Sequence, residues 1–171
     1  IDSIWDSLVA ATGWIERRIA ASPTGFLDYA RGEDTGLVNQ AWKDSHDSIF
    51  HADGRTPEGP IALVEVQGYA YAAFLAMSAM AEWRGDAGAS RWRQRAAAMR
   101  LAVESRFWLD DLGFYALAID GANQPCRVRA SNAGHLLFAG LPSAERAQAV
   151  GRQLLSSAFA SGWGVRTLPA E

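Results

Sequence analysis

Trp42, Lys43, Asp44, His46, Asp47 and His51 crowd into ten residues of a turn-rich stretch. A single acid, Glu65, follows near the start of a nearly uncharged run. Carboxylates beside indoles and amides suit one chemistry in particular. They can hold a sugar ring and protonate the oxygen that leaves from it. Asp44 sits two residues after Trp42, where shielding by the indole would raise its pKa and the neighbouring Lys43 ammonium would lower it. An ordinary capping or loop aspartate reads the same way in one dimension. Glu65 is the only Asp, Glu, Lys or Arg between positions 61 and 81, so a buried carboxylate there needs a partner or a ligand. Gln67 and Tyr69 are its near neighbours, Tyr69 one helical turn on. An arginine elsewhere in the chain would satisfy Glu65 equally well.

Weaker candidates lie downstream. Asn132 and His135 precede an apolar helix and could cap it, hydrogen-bond within it, or reach sugar hydroxyls. Trp163, between Gly162 and Gly164, could stack on a pyranose or join the core. The spacing of His46 and His51 fits neither a zinc nor a calcium loop, so no metal is expected. No glycine pattern cradles a phosphate or a dinucleotide, and no cofactor is expected. Cys126 reads as a packing residue.

These residues need a scaffold. The 171 residues are 49% hydrophobic with a formal net charge of -3, enough for one domain and lacking the basic field that nucleic acid would require. The five arginines between positions 91 and 106 interleave with an apolar stripe and read as a solvated helix face. One cysteine excludes an internal disulfide framework and fits a reducing compartment. The longest uncharged apolar run is too short to span a bilayer, so a soluble, cytoplasmic protein is expected, with no membrane partner.

Ile4, Leu8, Ala11, Ile15 and Ile19 repeat at helical spacing, and Trp5 and Val9 widen the face expected to be buried. A long connection over residues 25–60 should hold a short helix at about 39–50. Pro60 suits the first turn of a helix running to about residue 83, apolar all round and therefore buried all round, with Gly85 ending it. Trp92, Ala96, Met99, Val103 and Phe107 predict a helix over 87–108. Residues 114–120 and 126–130 flank a turn at 121–125 and read as a β-hairpin inserted between helices. A short buried helix is expected over 131–139, and Ser143 should cap another reaching about residue 155 with Ala147, Val150 and Leu154 inward. The fold class is mainly α: an α/α hairpin array with a small inserted β-hairpin. At ordinary helix and loop lengths a ring of six hairpins needs about twice this chain, so the array corresponds to about half of an (α/α)6 toroid. The chain opens and closes inside apolar patterns, as a single domain cut from a larger one would.

The string GLVNQAWKDSHDSIFHADG, then GPIALVEVQGYAYAA, GFYALAIDG, PCRVRASNAGHLL and SGWGVRTL in that order, closely resembles bacterial glycogen-debranching-type proteins, often called amylo-α-1,6-glucosidase-like. The match runs over nearly the whole chain. The resemblance implies the N-terminal part of a catalytic (α/α)6 toroid similar to those of trehalases and processing α-glucosidases. These invert configuration at α-glucosidic linkages with an aspartic acid donor and a distant carboxylate base. It implies Asp44 as general acid, with Asp47 the second choice, and Glu65 as a sugar-contacting carboxylate. Gln40, Trp42, Lys43, Gln67, Tyr69, Asn132, His135 and Trp163 become candidate subsite residues. The motif carrying the base follows SGWGVRTL in the family, so the base is expected beyond residue 171 and the isolated fragment is expected to be inactive. Two other readings keep the fold: a carbohydrate-binding relic without turnover, and a helical protein-interaction scaffold. An open half-ring would also expose an apolar face and favour self-association.

Overall fold

The computed structural model describes residues 1–32, 35–43 and 45–170. After a 3-10 turn at Asp2–Ile4, α1 covers Trp5–Ala21. A long connection leads to the short strand β1 (Ala62–Leu63), which runs directly into α2 (Val64–Arg84). Gly85 closes α2 in the left-handed conformation that glycine adopts without cost, its amide returning to Ala81 and Glu82. Helix α3 (Ala89–Arg106) folds back on α2 as an antiparallel hairpin. Strands β2 (Trp108–Leu109) and β3 (Phe114–Tyr115) pair with each other. Strand β4 (Ala118–Ile119) pairs with β1 on one side and with β5 (Pro125–Cys126) on the other, in the order β1-β4-β5, all antiparallel. A 3-10 turn at Ser131–Ala133 leads into α4 (Gly134–Ala139), and α5 (Ala144–Leu154) follows. The chain is mainly α with small antiparallel sheets, as the apolar periodicity indicates.

The core forms where α2, α3 and the two-stranded sheet meet. Trp92, Ala96, Met99, Val103 and Phe107 are all buried, as their spacing predicts. Phe107 meets Phe26 edge-on at 5.0 Å, and Phe74 stacks on Trp92 at 6.2 Å. Burying side chains of this size contributes about 1.5–3 kcal/mol each. Ser143 caps α5 by accepting from the Arg146 amide, and Val150 and Leu154 turn inward, while Ala147 is only half-buried.

Five expectations differ from the fold. Residues 39–50 contain no helix among those described; they form bends and turns. Side chains have taken over the backbone's partners there. The buried Asn39 amide donates to the Ser45 carbonyl at 2.6 Å and to Ser48 Oγ at 3.1 Å, and Ser48 Oγ donates to the Lys43 carbonyl at 2.7 Å. Such local side-chain bonds compete with a helical ladder. Pro60 follows a cis peptide bond and precedes a strand, so α2 begins four residues later than expected. Helix α2 is not buried all round: Tyr69, Leu75 and Trp83 are exposed. Helix α1 seats only one edge on the core. Trp5 and Thr12 are buried, while Ile4, Val9 and Ala11 face solvent. Thr12 can be buried because its hydroxyl donates to the Leu8 carbonyl. The hairpin is present but shorter than expected: Pro125 pairs with Ile119 rather than lying in the turn, and Phe114–Tyr115 pairs backward with β2.

Candidate functional site

The first turn of α2 brings Glu65 to the middle of the molecule, with Tyr69 one turn above it. Helix α4 can approach because position 68 is glycine: a Cβ there would stand 2.9 Å from Leu136 Cδ2. That close approach lets the 3-10 turn before α4 set Asn132 against Glu65. Asn132 Nδ2 donates to Glu65 Oε1 at 2.8 Å, and Lys43 Nζ donates to Asn132 Oδ1 at 2.6 Å. Three distant segments thus join in one hydrogen-bonded line. Glu65 and Asn132 are fully buried; Lys43 is half-buried.

Glu65 Oε2 is also buried and finds no hydrogen-bond partner among the described residues. Burial pushes the Glu65 carboxyl above its ordinary range. Hydrogen bonds from its own backbone and from Asn132, and the Lys43 charge, pull it partly back. Burial likewise lowers the Lys43 ammonium, and the Glu65 charge opposes that. The two groups therefore lean toward their neutral forms for one reason: both have left water.

An aromatic rim stands over this line. Tyr69 Oη lies 2.8 Å from His135 Nδ1, with the rings edge-to-face at 5.6 Å. Trp42 lies 6.1 Å from the His135 ring and carries Lys43 Nζ 5.1 Å from its own centroid. Trp42 and Tyr69 are exposed, at 60% and 42%, so the rim offers indole and phenol faces to a ligand. Exposed aromatic faces with polar groups beneath them are what a pyranose needs for stacking and hydrogen bonding.

Beside the rim opens a cleft of about 330 Å³, lined by Trp42, Lys43, Asp47, Ser48, Thr167 and Leu168 among others. The C-terminal segment reaches it because the Ser131 amide donates to the Thr167 carbonyl at 2.9 Å. Asp47 is exposed in this cleft. Asp44, expected as the general acid, lies outside the described residues.

The remaining candidates stand apart. Gln67 is buried and serves as a strut: its Oε1 accepts from the Leu27 amide, and its Nε2 donates to the Leu27 and Leu63 carbonyls. Those bonds leave it no role at the rim. Gln40 is exposed and reaches back to the Ala30 carbonyl at 3.4 Å. Trp163 is fully exposed on the turn at Ser161–Gly164, where Gly162 takes a positive φ.

A second, larger cleft of about 610 Å³ lies between the 51–58 segment and the β4–β5 turn. There His51 Nε2 meets Asp120 Oδ2 at 3.1 Å, and buried Cys126 Sγ lies 4.0 Å from the same nitrogen. Burial raises the Cys126 thiol to about 12, so it is no nucleophile near neutral pH. Sequence reading gave His51 no partner, because Asp120 is 69 residues away. Among the described residues no group of three His, Cys, Asp or Glu gathers to hold a metal, and no helix is long and apolar enough to cross a membrane.

Comparison with known proteins agrees with the α-helical architecture. A solved structure described as "Sialidase" superposes with a TM-score of 0.69 at 18% identity, over 98% of this chain and 15% of that one. This chain therefore spans about a seventh of that protein's length, and the likeness speaks for the fold. No curated protein matches. The family model for the mannosylglycerate hydrolase MGH1-like glycoside hydrolase domain matches residues 1–171, and the chain belongs to that family.

Proposed function

We propose that this chain supplies the acid side of an inverting glycoside hydrolase site acting on α-glucosidic linkages. The observation that carries the reading is the buried Glu65 carboxylate beneath the exposed Trp42–Tyr69–His135 rim. Family membership supports the reaction class, and the resemblance of the quoted motifs is what supports the linkage. In this reading Asp44, which follows Trp42 and Lys43, protonates the leaving oxygen. Trp42 and Tyr69 bear on the sugar ring, and Glu65 Oε2 accepts from a sugar hydroxyl once a substrate displaces the contacts above it. An inverting mechanism needs a second carboxylate about 6.5–9.5 Å from the acid, with water between them. The resemblance puts the motif that carries the base after SGWGVRTL, so in this reading the base is not among these 171 residues and they are inactive alone.

The test is anomer-resolved NMR of sugar release from α-linked gluco-oligosaccharides and from mannosylglycerate, the compound for which the family is named. The chain, a version extended past Glu171, and the extended Asp44→Asn variant are run side by side. Release of the inverted anomer by the extended chain only, lost in the variant, supports the proposal. Turnover by the 171-residue chain would sink the missing-base assignment. Release from mannosylglycerate alone would replace the glucosidic specificity and leave the reaction class standing.

A further inference from the structure

Asn132 makes two hydrogen bonds that few side chains could make together. One end of its amide accepts from an ammonium, Lys43 Nζ, and the other donates to a carboxylate, Glu65 Oε1. Reversing the amide would turn its NH2 toward the ammonium and its carbonyl toward the carboxylate, two repulsive contacts in place of two attractive ones. The orientation is therefore fixed by charge on both sides. An aspartate would suit Lys43 but oppose an ionised Glu65, and a leucine would leave both charged groups without this partner. Asn132 is fully buried, so neither end exchanges its partner for water.

The loop that carries Lys43 is otherwise held largely by its own side chains. Asn39 binds Ser45 and Ser48, and Ser48 binds the Lys43 and Ser45 carbonyls. Tyr29 Oη, which donates to Asn39 Oδ1, and buried Ile49 anchor the base of the loop. Toward α4, the Trp42–Lys43 dipeptide makes the Lys43–Asn132 hydrogen bond and the Trp42–His135 ring contact.

We infer that Asn132 is a positioning residue: through Lys43 and Glu65 it ties the Trp42–Lys43 loop to α2 and so sets where the aromatic rim stands. Both polar atoms of its buried amide are taken up by Lys43 and Glu65. This deepens the glycosidase reading and rests on it only for what the loop is positioned to do.

The test is hydrogen–deuterium exchange on the 171-residue chain without substrate, comparing wild type with Asn132→Leu, Lys43→Met and the double variant. Each single change removes the same tie, so exchange across residues 39–50 should quicken about tenfold or more, the consequence of losing a charged hydrogen bond. The double variant should exchange no faster than the faster single one, because the two residues act through one link. Exchange in α3 should match wild type throughout.

Two results would overturn the inference. One is wild-type exchange over 39–50 in Lys43→Met. The other is a double variant whose acceleration is the product of the single ones. If Asn132→Leu loosens α3 as well, Lys43→Met decides alone, since it leaves the buried Asn132 and Glu65 in place. No substrate enters these measurements, so a failure of the hydrolase reading would leave them unchanged.

Discussion

Glu65 and Lys43 carry opposite formal charges, yet burial shifts each toward neutrality. For Glu65 the stability consequence has a definite sign. Its carboxyl binds a proton more tightly in the folded chain than in the unfolded one, whose value is near 4.5. The stability this contributes is present below that value and is lost as pH rises through the elevated folded value. Glu65→Gln removes the titration. Thermal denaturation from pH 4 to 8 should therefore show wild type losing stability with rising pH and the variant losing less. Parallel curves would mean that Glu65 ionises in the fold as readily as outside it. That a buried Glu65 would need a partner was legible in the sequence, because it is one acid in a long uncharged run. The partner itself was not: Asn132 is 67 residues away, and nothing local to either residue signals the other. Gln67 shows the opposite limit. A polar residue two positions from a candidate acid invited a place at the site, but the helix turns it toward Leu27 and Leu63.

Among the elements, α3 was legible to within two residues at each end: Trp92, Ala96, Met99 and Val103 form its buried face, and Phe107 is buried just after it. The 39–50 segment was not, because its conformation depends on Asn39 and Ser48 binding backbone groups and on Tyr29 reaching across from another part of the loop. Two glycines show where elements meet most closely, and their substitutions should rank. At Gly121 a Cβ would lie 2.3 Å from the Gly59 carbonyl oxygen and 2.6 Å from its carbon, both backbone atoms. At Gly68 the first obstacle is the end of the Leu136 side chain at 2.9 Å, which can rotate. Gly121→Ala should cost on the order of 3 kcal/mol and Gly68→Ala about 1 kcal/mol, from overpacking against rigid and yielding neighbours respectively. Urea denaturation midpoints at an unchanged slope would measure both, and the reverse order would contradict the packing described.

Across the whole molecule, apolar surface is left uncovered. Ile4, Trp14, Leu75, Trp83 and Phe138 are all exposed, Phe138 at 90%. The sequence implied a one-sided α1 and an α2 apolar all round; what it could not announce is that these residues stay uncovered within this chain. The prediction at this scale is reversible self-association. Sedimentation velocity should show the weight-average coefficient rising with concentration, and Trp83→Lys should reduce the rise. A concentration-independent monomer would refute it.

Lys43 and Asn132 stand 89 positions apart along the chain, and their contact closes the site. A link between such distant points forms only after the intervening helices and strands have been brought together, because the entropy of closing so long a loop is met late in folding. The rim should therefore be the last region to mature during refolding and the first to come apart during partial unfolding. The candidate site then serves as a reporter of completed folding: a chain with correct helices but an unfinished topology would have no rim to offer a sugar.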